Sequence, residues 1–434
     1  PNFIDALNNL GIISKELGEH QKAESYFQKT IEIDPNFIDA LNNLGIISKE
    51  LGEHQKAESY FQKAIKIDPN FKTALNNLGL MFKELGEHQK AINCYKKLIE
   101  IDPDNITSIN SLSDLLETFK FSHKIKNDRV DLKELFLFLF KKNNINHSIL
   151  IKNVKLFLFL EDEQYQHADI ILGIINSDST LLINEKIKSL LKEELFHLML
   201  QKSLIIDEFF EKLLIKLRSE ILFVLGTPNK DILKEYLDFI NSLAEQCWLN
   251  EYLYVQSEKE VGEINQLKDK IENNKEISEL EIAILSCYVP LNSSKIVINK
   301  LLNYKSSNIL FNDLIRVQIK EPLREIELKK SIKSLDVINN PISIKVRDQY
   351  EENPYPRWRY TKSLLSHNFL TSLNHEIKPN KIQYSDKFEN PNILIAGCGT
   401  GSHAILTTRY KNAKILAVDL SSASLAYAKR KSEE

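Results

Sequence analysis

Residues 36–69 read NFIDALNNLGIISKELGEHQKAESYFQKAIKIDP, and close copies stand on either side, at 2–35 and 70–103. Asp34-Pro35, Asp68-Pro69 and Asp102-Pro103 therefore recur every 34 residues, as do Gly11, Gly45 and Gly79, and Gly18, Gly52 and Gly86. Such a period marks a stack of identical supersecondary units, none of which buries its apolar face alone. Each unit reads as two helices. The first glycine sits where neighbouring helices must approach closely, and the second helix carries a small residue (Ala23, Ala57, Ala91) with an aromatic four residues on (Phe27, Phe61, Tyr95). The second glycine breaks the chain between the helices, and the Asp-Pro step ends the second one, because a residue before proline avoids the α region. The segment Ile106–Leu116 continues the apolar pattern as the next helix of the stack.

Spacing, glycines and aromatics together resemble the tetratricopeptide repeat over three consecutive units. Each copy also carries an asparagine pair, Asn8-Asn9, Asn42-Asn43 and Asn76-Asn77. Repeats of the O-GlcNAc transferase kind have a similar asparagine ladder, which holds the backbone of a bound peptide. The resemblance thus implies protein or peptide binding through Asn9, Asn43 and Asn77; the alternative is that these amides only solvate an exposed groove. Lysines and arginines at carboxylate-clamp positions are missing, which argues against recognition of chaperone tails.

Composition narrows the functional classes. Only 12 of 434 residues are glycine, six of them in the repeats and three within Gly397–Gly401, so Gly-rich and many-hairpin β architectures are excluded. The net charge of −3, with 48 lysines against 9 arginines, provides neither a global field for nucleic acid nor an arginine surface for reading bases. Cys94, Cys247, Cys287 and Cys398 have no metal-ligand spacing, so no metal site is expected and they read as reduced thiols of a cytoplasmic protein. No apolar run reaches the ~18 residues of a membrane span. The chain opens on Pro1 inside a repeat, without a signal peptide, so the expectation is a fragment or processed product.

From 119 to 340 the repeat is lost while helical periodicity continues. Asp131 and Glu134 suggest a capping box before Leu132–Phe140, Leu213–Leu225 suggests a buried helix, and Pro228-Asn229 is expected to start a helix running from Ile232 to about Tyr254. His123, His147, His167 and His197 are isolated and read as ordinary core or surface residues. Half of the 12 prolines fall between 322 and 391, so 341–390 reads as a proline-rich junction built around Asn353-Pro354-Tyr355-Pro356-Arg357-Trp358. In that stretch Tyr355, Arg357, Trp358 and Arg359 read either as a lid over a ligand or as anchors for an extended linker.

The chemistry is concentrated in 391–434. An apolar run, Asn392–Ala396, ends in Gly397-Cys398-Gly399-Thr400-Gly401; a helix-compatible stretch, Ser402–Tyr410, follows, then a second apolar run, Lys414–Val418, ending in Asp419. This is the strand–glycine loop–helix–strand–acid order that begins a Rossmann-like half, with backbone N–H groups offered to an anion at the helix start. A dinucleotide fingerprint would need glycine at 402, where Ser402 stands. The Gly-Cys-Gly-Thr-Gly loop resembles the first motif of class I S-adenosylmethionine-dependent methyltransferases. That resemblance implies a cradle for the methionine end of S-adenosylmethionine at Gly397, Cys398, Gly399, Thr400 and Gly401, N–H groups at Ser402 and His403 facing its carboxylate, Asp419 holding the ribose, and Leu420 and Ser421 flanking the adenine. One departure is Ile395, which occupies the position where the family usually has an acid for the methionine ammonium.

Together with Gln246-Cys247-Trp248-Leu249-Asn250-Glu251-Tyr252 and the Tyr350–Trp358 stretch, these features resemble bacterial proteins that fuse tetratricopeptide repeats to a class I methyltransferase. The expected architecture is mainly α, with repeats at 1–118, a helical middle at 119–340, the junction at 341–390, and the start of an α/β methyltransferase domain at 391–434. The 44 residues from Pro391 fall short of the ~150 such a domain needs, so no catalytic base is expected among them and the fragment alone should be inactive. The rival reading is a non-enzymatic repeat scaffold carrying a degenerate Rossmann segment.

Overall fold

Each 34-residue copy folds as a packed pair of helices: α1 (Asn2–Glu16) with α2 (His20–Ile33), α3 (Ile38–Glu50) with α4 (His54–Ile67), and α5 (Lys72–Glu84) with α6 (His88–Ile101). The helix α7 (Ile106–Thr118) packs on α6, its first turn capped by Asn105, whose side chain accepts the Ser108 N–H at 3.0 Å. The computed structural model describes residues 2–119, 129–159, 180–335, 337–377 and 389–434, with 172–173, 175, 380 and 382–383. Among them the chain is mainly helical and forms two units, Pro1–Phe121 and Ser122–Glu434.

The two glycine series of the repeat do different jobs. Gly18, Gly52 and Gly86 lie at φ between 74° and 79° with no neighbour where a side chain would go, so they are needed for backbone conformation alone. They close a double hydrogen bond at the end of each first helix: the Gly52 N–H donates to Lys49 O and the Glu53 N–H to Ser48 O. Gly11 and Gly45 instead lie inside helices, where a methyl group would fall 2.6 Å from the Phe27 and Phe61 rings. At Gly79 the same methyl would meet the Tyr95 ring at 3.1 Å. The Asp-Pro step works through its side chain as well: Asp34 and Asp68 each accept a backbone N–H two residues on, at 2.9 Å, turning the chain into the next unit.

In the second unit, helix Glu208–Leu225 contains the expected segment Leu213–Leu225 and starts one turn earlier, with Asp207 accepting the Phe210 N–H. Two expectations need correction. Asp131 lies inside the first turn of helix Arg129–Lys141 and is therefore not its cap. The expected helix from Ile232 to Tyr254 is a 3₁₀ segment, Lys230–Tyr236, followed by an α-helix only over Leu237–Leu249. The 3₁₀ geometry aligns residues three apart, and Leu233 and Tyr236 are both buried there. The α-helix stops because Glu251 and Tyr252 adopt left-handed φ of 55° and 58°, with Glu251 N–H on Trp248 O and Tyr252 N–H on Cys247 O. This is the closure glycine makes in the repeats, built here without glycine.

The stretch expected as a junction holds helices Pro341–Glu352 and Phe369–Glu376. Beyond it, β1 (Asn392–Ala396) and β2 (Lys414–Val418) pair in parallel, Asn392 opposite Lys414 and Ala396 opposite Val418. The crossover helix spans Ser402–Leu406 rather than reaching Tyr410. A 3₁₀ turn, Thr407–Arg409, replaces its end, because Arg409 O and the Lys411 N–H are taken by the backbone of His367. The last helix, Ser422–Glu433, packs on helix Glu321–Lys329. Among the described residues no helix is long and apolar enough to cross a membrane.

Candidate functional site

On the repeats, the asparagines form bonds between successive units. The Asn77 amide donates to Asn42 Oδ1 at 2.9 Å, and Lys15 Nζ donates to Asn43 Oδ1 at 3.4 Å. Asn9 is exposed, Asn77 half-buried and Asn43 buried, so the three residues singled out for peptide binding are not equally available. Asn8 and Asn76 each keep a buried Oδ1 without a partner.

In the second unit, Gly397, Gly399 and Gly401 all lie at positive φ, 69°, 52° and 86°. Side chains at Gly397 and Gly399 would meet nothing within 4 Å, so these two expose backbone to a prospective ligand. Gly401 has another reason: a methyl group there would fall 2.4 Å from the Ala428 methyl, so glycine is what lets the loop seat against helix Ser422–Glu433. Asp419 reaches back to the loop, one carboxylate oxygen accepting the Gly399 N–H at 2.8 Å and the other the Ser421 N–H at 2.9 Å. Each oxygen retains a further lone pair. Cys398 is buried, and burial followed by the nearby Asp419 charge pushes its thiol above the ordinary value. Ser402 is half-buried and His403 exposed beside the loop; Leu420 is exposed, whereas Ser421 is fully buried and spends its hydroxyl on Tyr350 O. Glu351 accepts the Ser422 and Ala423 N–H groups at the start of the last helix.

The two motifs without an evident role in the sequence meet beside this loop. Arg357 pairs with Glu251 and lies 4.3 Å over the Trp248 ring, so the Asn353–Trp358 stretch docks on the Gln246–Tyr252 stretch. Arg359 is buried between Glu245 and Asp313 and also donates to Gln201 O. Burial opposes ionisation of Asp313, but Arg359 and Arg316 outweigh it and hold the carboxyl down at about 2. At Glu245 burial outweighs Arg359 and pushes the carboxyl up to about 8. Between the two arginines, Trp358 points the other way, its Nε1–H donating to Thr400 O at 3.1 Å. Tyr355, joined to Pro356 by a cis peptide, is exposed. Arg357, Trp358 and Arg359 are thus anchored; of the four residues, Tyr355 alone stands exposed.

His147 and His197 are held by backbone carbonyls, Lys142 O at 3.0 Å and Leu191 O at 2.8 Å. His123 and His167 lie outside the described residues. Among the described residues no three His, Cys, Asp or Glu side chains converge as a metal site.

Residues 3–70 and 36–104 each match the model of the tetratricopeptide repeat family, so the first part of the chain consists of such repeats. No curated protein matches the chain. A solved O-GlcNAc transferase variant of Thermobaculum terrenum is similar at 21% identity over 32% of this chain, with a TM-score of 0.27. That match spans 26% of the transferase chain. The crystal structure of MamA is similar at 26% identity over 36% of this chain and 82% of that one, again with a TM-score of 0.27.

Proposed function

We propose that this chain belongs to an S-adenosylmethionine-dependent methyltransferase whose tetratricopeptide repeats recruit or present a protein or peptide substrate. Repeats of this kind generally mediate protein–protein contact; the enzymatic reading is supported chiefly by the loop between β1 and β2. Three glycines in left-handed conformation, two of them with open space above the backbone, lie beside a carboxylate at the end of β2. S-adenosylmethionine would supply an electrophilic methyl group on a sulfonium. Gly397, Cys398, Gly399, Thr400 and Gly401 would cradle its methionine end, with the N–H groups of Ser402 and His403 facing the carboxylate. Asp419 would accept from the ribose hydroxyls with its remaining lone pairs, and exposed Leu420 would cover the adenine, with Ser421 contributing only backbone. With Ile395 in place of an acid, the methionine ammonium needs another partner. For methyl transfer the chain's task is proximity and orientation. Titration calorimetry with S-adenosylmethionine and with NAD tests the reading. Binding of the former, weakened roughly tenfold or more by Asp419→Ala (~1.4 kcal/mol or above), is expected; preference for NAD overturns it.

A specific observation favours a second reading, the non-enzymatic scaffold. Both Asp419 oxygens and the hydroxyl and carbonyl of Thr400 are bonded within the chain, so these groups have partners without a ligand. Transfer of labelled methyl from S-adenosylmethionine to a component of a cell extract would exclude the scaffold. On either reading, substitution of Asn9, Asn43 and Asn77 by alanine should weaken capture of an extended peptide.

A further inference from the structure

We infer that Trp358 and Thr400 are positioning residues: an extended strap, residues 356–359, sets the conformation of the Gly397–Gly401 loop and ties it to the helical part of its own unit. The inference rests on the proposed function only for the identity of the ligand.

Thr400 is 3% exposed, and its hydroxyl and its carbonyl both face the strap. Its hydroxyl donates to Pro356 O at 2.8 Å, and its carbonyl accepts the Trp358 indole N–H at 3.1 Å. One residue of the loop is therefore gripped at two points, two residues apart on the strap. The strap is held on the opposite side. Successive side chains of an extended segment point in opposite directions, and here Arg357 and Arg359 reach the helix Leu237–Leu249 and its C-terminal turn through Glu251 and Glu245, while Trp358 reaches the loop.

Three further bonds fix the register. The Trp358 N–H donates to the Tyr427 hydroxyl at 3.1 Å, and that hydroxyl donates to Trp358 O. Lys431 Nζ donates to Arg359 O at 2.8 Å. Tyr427 and Lys431 lie on the helix against which Gly401 is packed, so strap, loop and helix close a ring of contacts. Gly397 and Gly399 leave the loop backbone intrinsically permissive. It is held by this ring together with the bonds of the Gly397 and Cys398 N–H groups to Val418 O, of Gly399 to Asp419 and of the Gly401 N–H to Cys398 O.

Native-state hydrogen exchange at the Gly399 and Gly401 amides tests the inference without any ligand, with far-UV circular dichroism confirming folding. Trp358→Phe keeps a ring but removes the donor, and Thr400→Val keeps the shape but removes the hydroxyl. Exchange at both amides should rise roughly tenfold in each variant, with amides of the repeats unchanged, and Thr400→Ser should restore the parent rate. If Trp358→Phe does not fold, Thr400→Val and its serine rescue decide alone. Rates within about twofold of the parent overturn the inference. Titration with S-adenosylmethionine separates the two readings. Faster loop exchange with no binding by any variant, or by the parent, retires the cofactor reading and keeps the positioning role. Binding that responds to Asp419→Ala while loop exchange stays flat retires the positioning role alone.

Discussion

The repeats and the glycine loop both depend on left-handed glycines and close packing, but they assemble from different distances along the chain. Side-chain bonds that join successive repeats, such as Asn77 to Asn42 and Lys56 to Glu24, span 35 and 32 residues, each within two residues of one period. Around the loop, Arg359 reaches Gln201 across 158 residues and Arg357 reaches Glu251 across 106. A repeat solenoid is approximately a sum of local units and nearest-neighbour interfaces. The loop instead depends on segments that carry no common pattern, so a single anchor there affects the whole unit.

The largest effect that would sharpen this contrast is expected from Arg359→Met. It leaves buried Glu245 without its guanidinium and half-buried Asp313 with Arg316 alone; removing one partner of a buried pair costs up to ~3–5 kcal/mol. Both tryptophans, Trp248 and Trp358, belong to the second unit, so denaturant unfolding followed by tryptophan emission should shift while exchange in the repeats does not. Equal loss in both units would break the comparison.

Next comes acid sensitivity. His147 is buried, and burial followed by the Lys202 charge pulls its imidazole down to about 3. Between that value and the unfolded value near 6.5, the unfolded state binds the extra proton. Stability of the second unit should therefore fall as pH drops from 6.5 toward 3, by roughly 1–4 kcal/mol from this residue. His147→Gln should flatten that part of the pH profile, measured by the same tryptophan emission.

Smaller and confined to the repeats is Gly45→Ala. Forcing the Phe61 ring aside costs ~1–3 kcal/mol, offset by about 1 kcal/mol of helix propensity. Gly79→Ala should cost less, since the methyl would stand 3.1 Å from Tyr95 rather than 2.6 Å from a ring. Exchange of α3 and α4 amides against those of α5 and α6 measures the difference. Gly52→Ala is of similar small size: space is open and only the left-handed backbone, about 1 kcal/mol, is at stake. If Gly45→Ala stabilises α3 and α4, as helix propensity alone would have it, close helix approach is not what the first glycine series provides.

The repeats were legible almost completely, because each function of the motif is local: Gly52 for backbone sign, Gly45 for approach to Phe61, Asp68 for the turn. The order strand, glycine loop, helix, strand, acid was equally legible in 391–434. The end of the helix at Leu249 was not, since Glu251 and Tyr252 take the left-handed conformation without a glycine to announce it. Nor was the end of the helix at Leu406, which yields to backbone bonds of Arg409 and Lys411 with His367, far upstream in the sequence.

The residues of the glycine loop and the period of the repeats were determined by the sequence alone, because glycine conformation and helix periodicity act over a few residues. Only the tertiary structure decided what Thr400 faces, what Trp358 grips and where Arg357 and Arg359 are anchored. Those contacts join segments whose separation follows no period, and only packing brings their hydrogen-bonding groups into register.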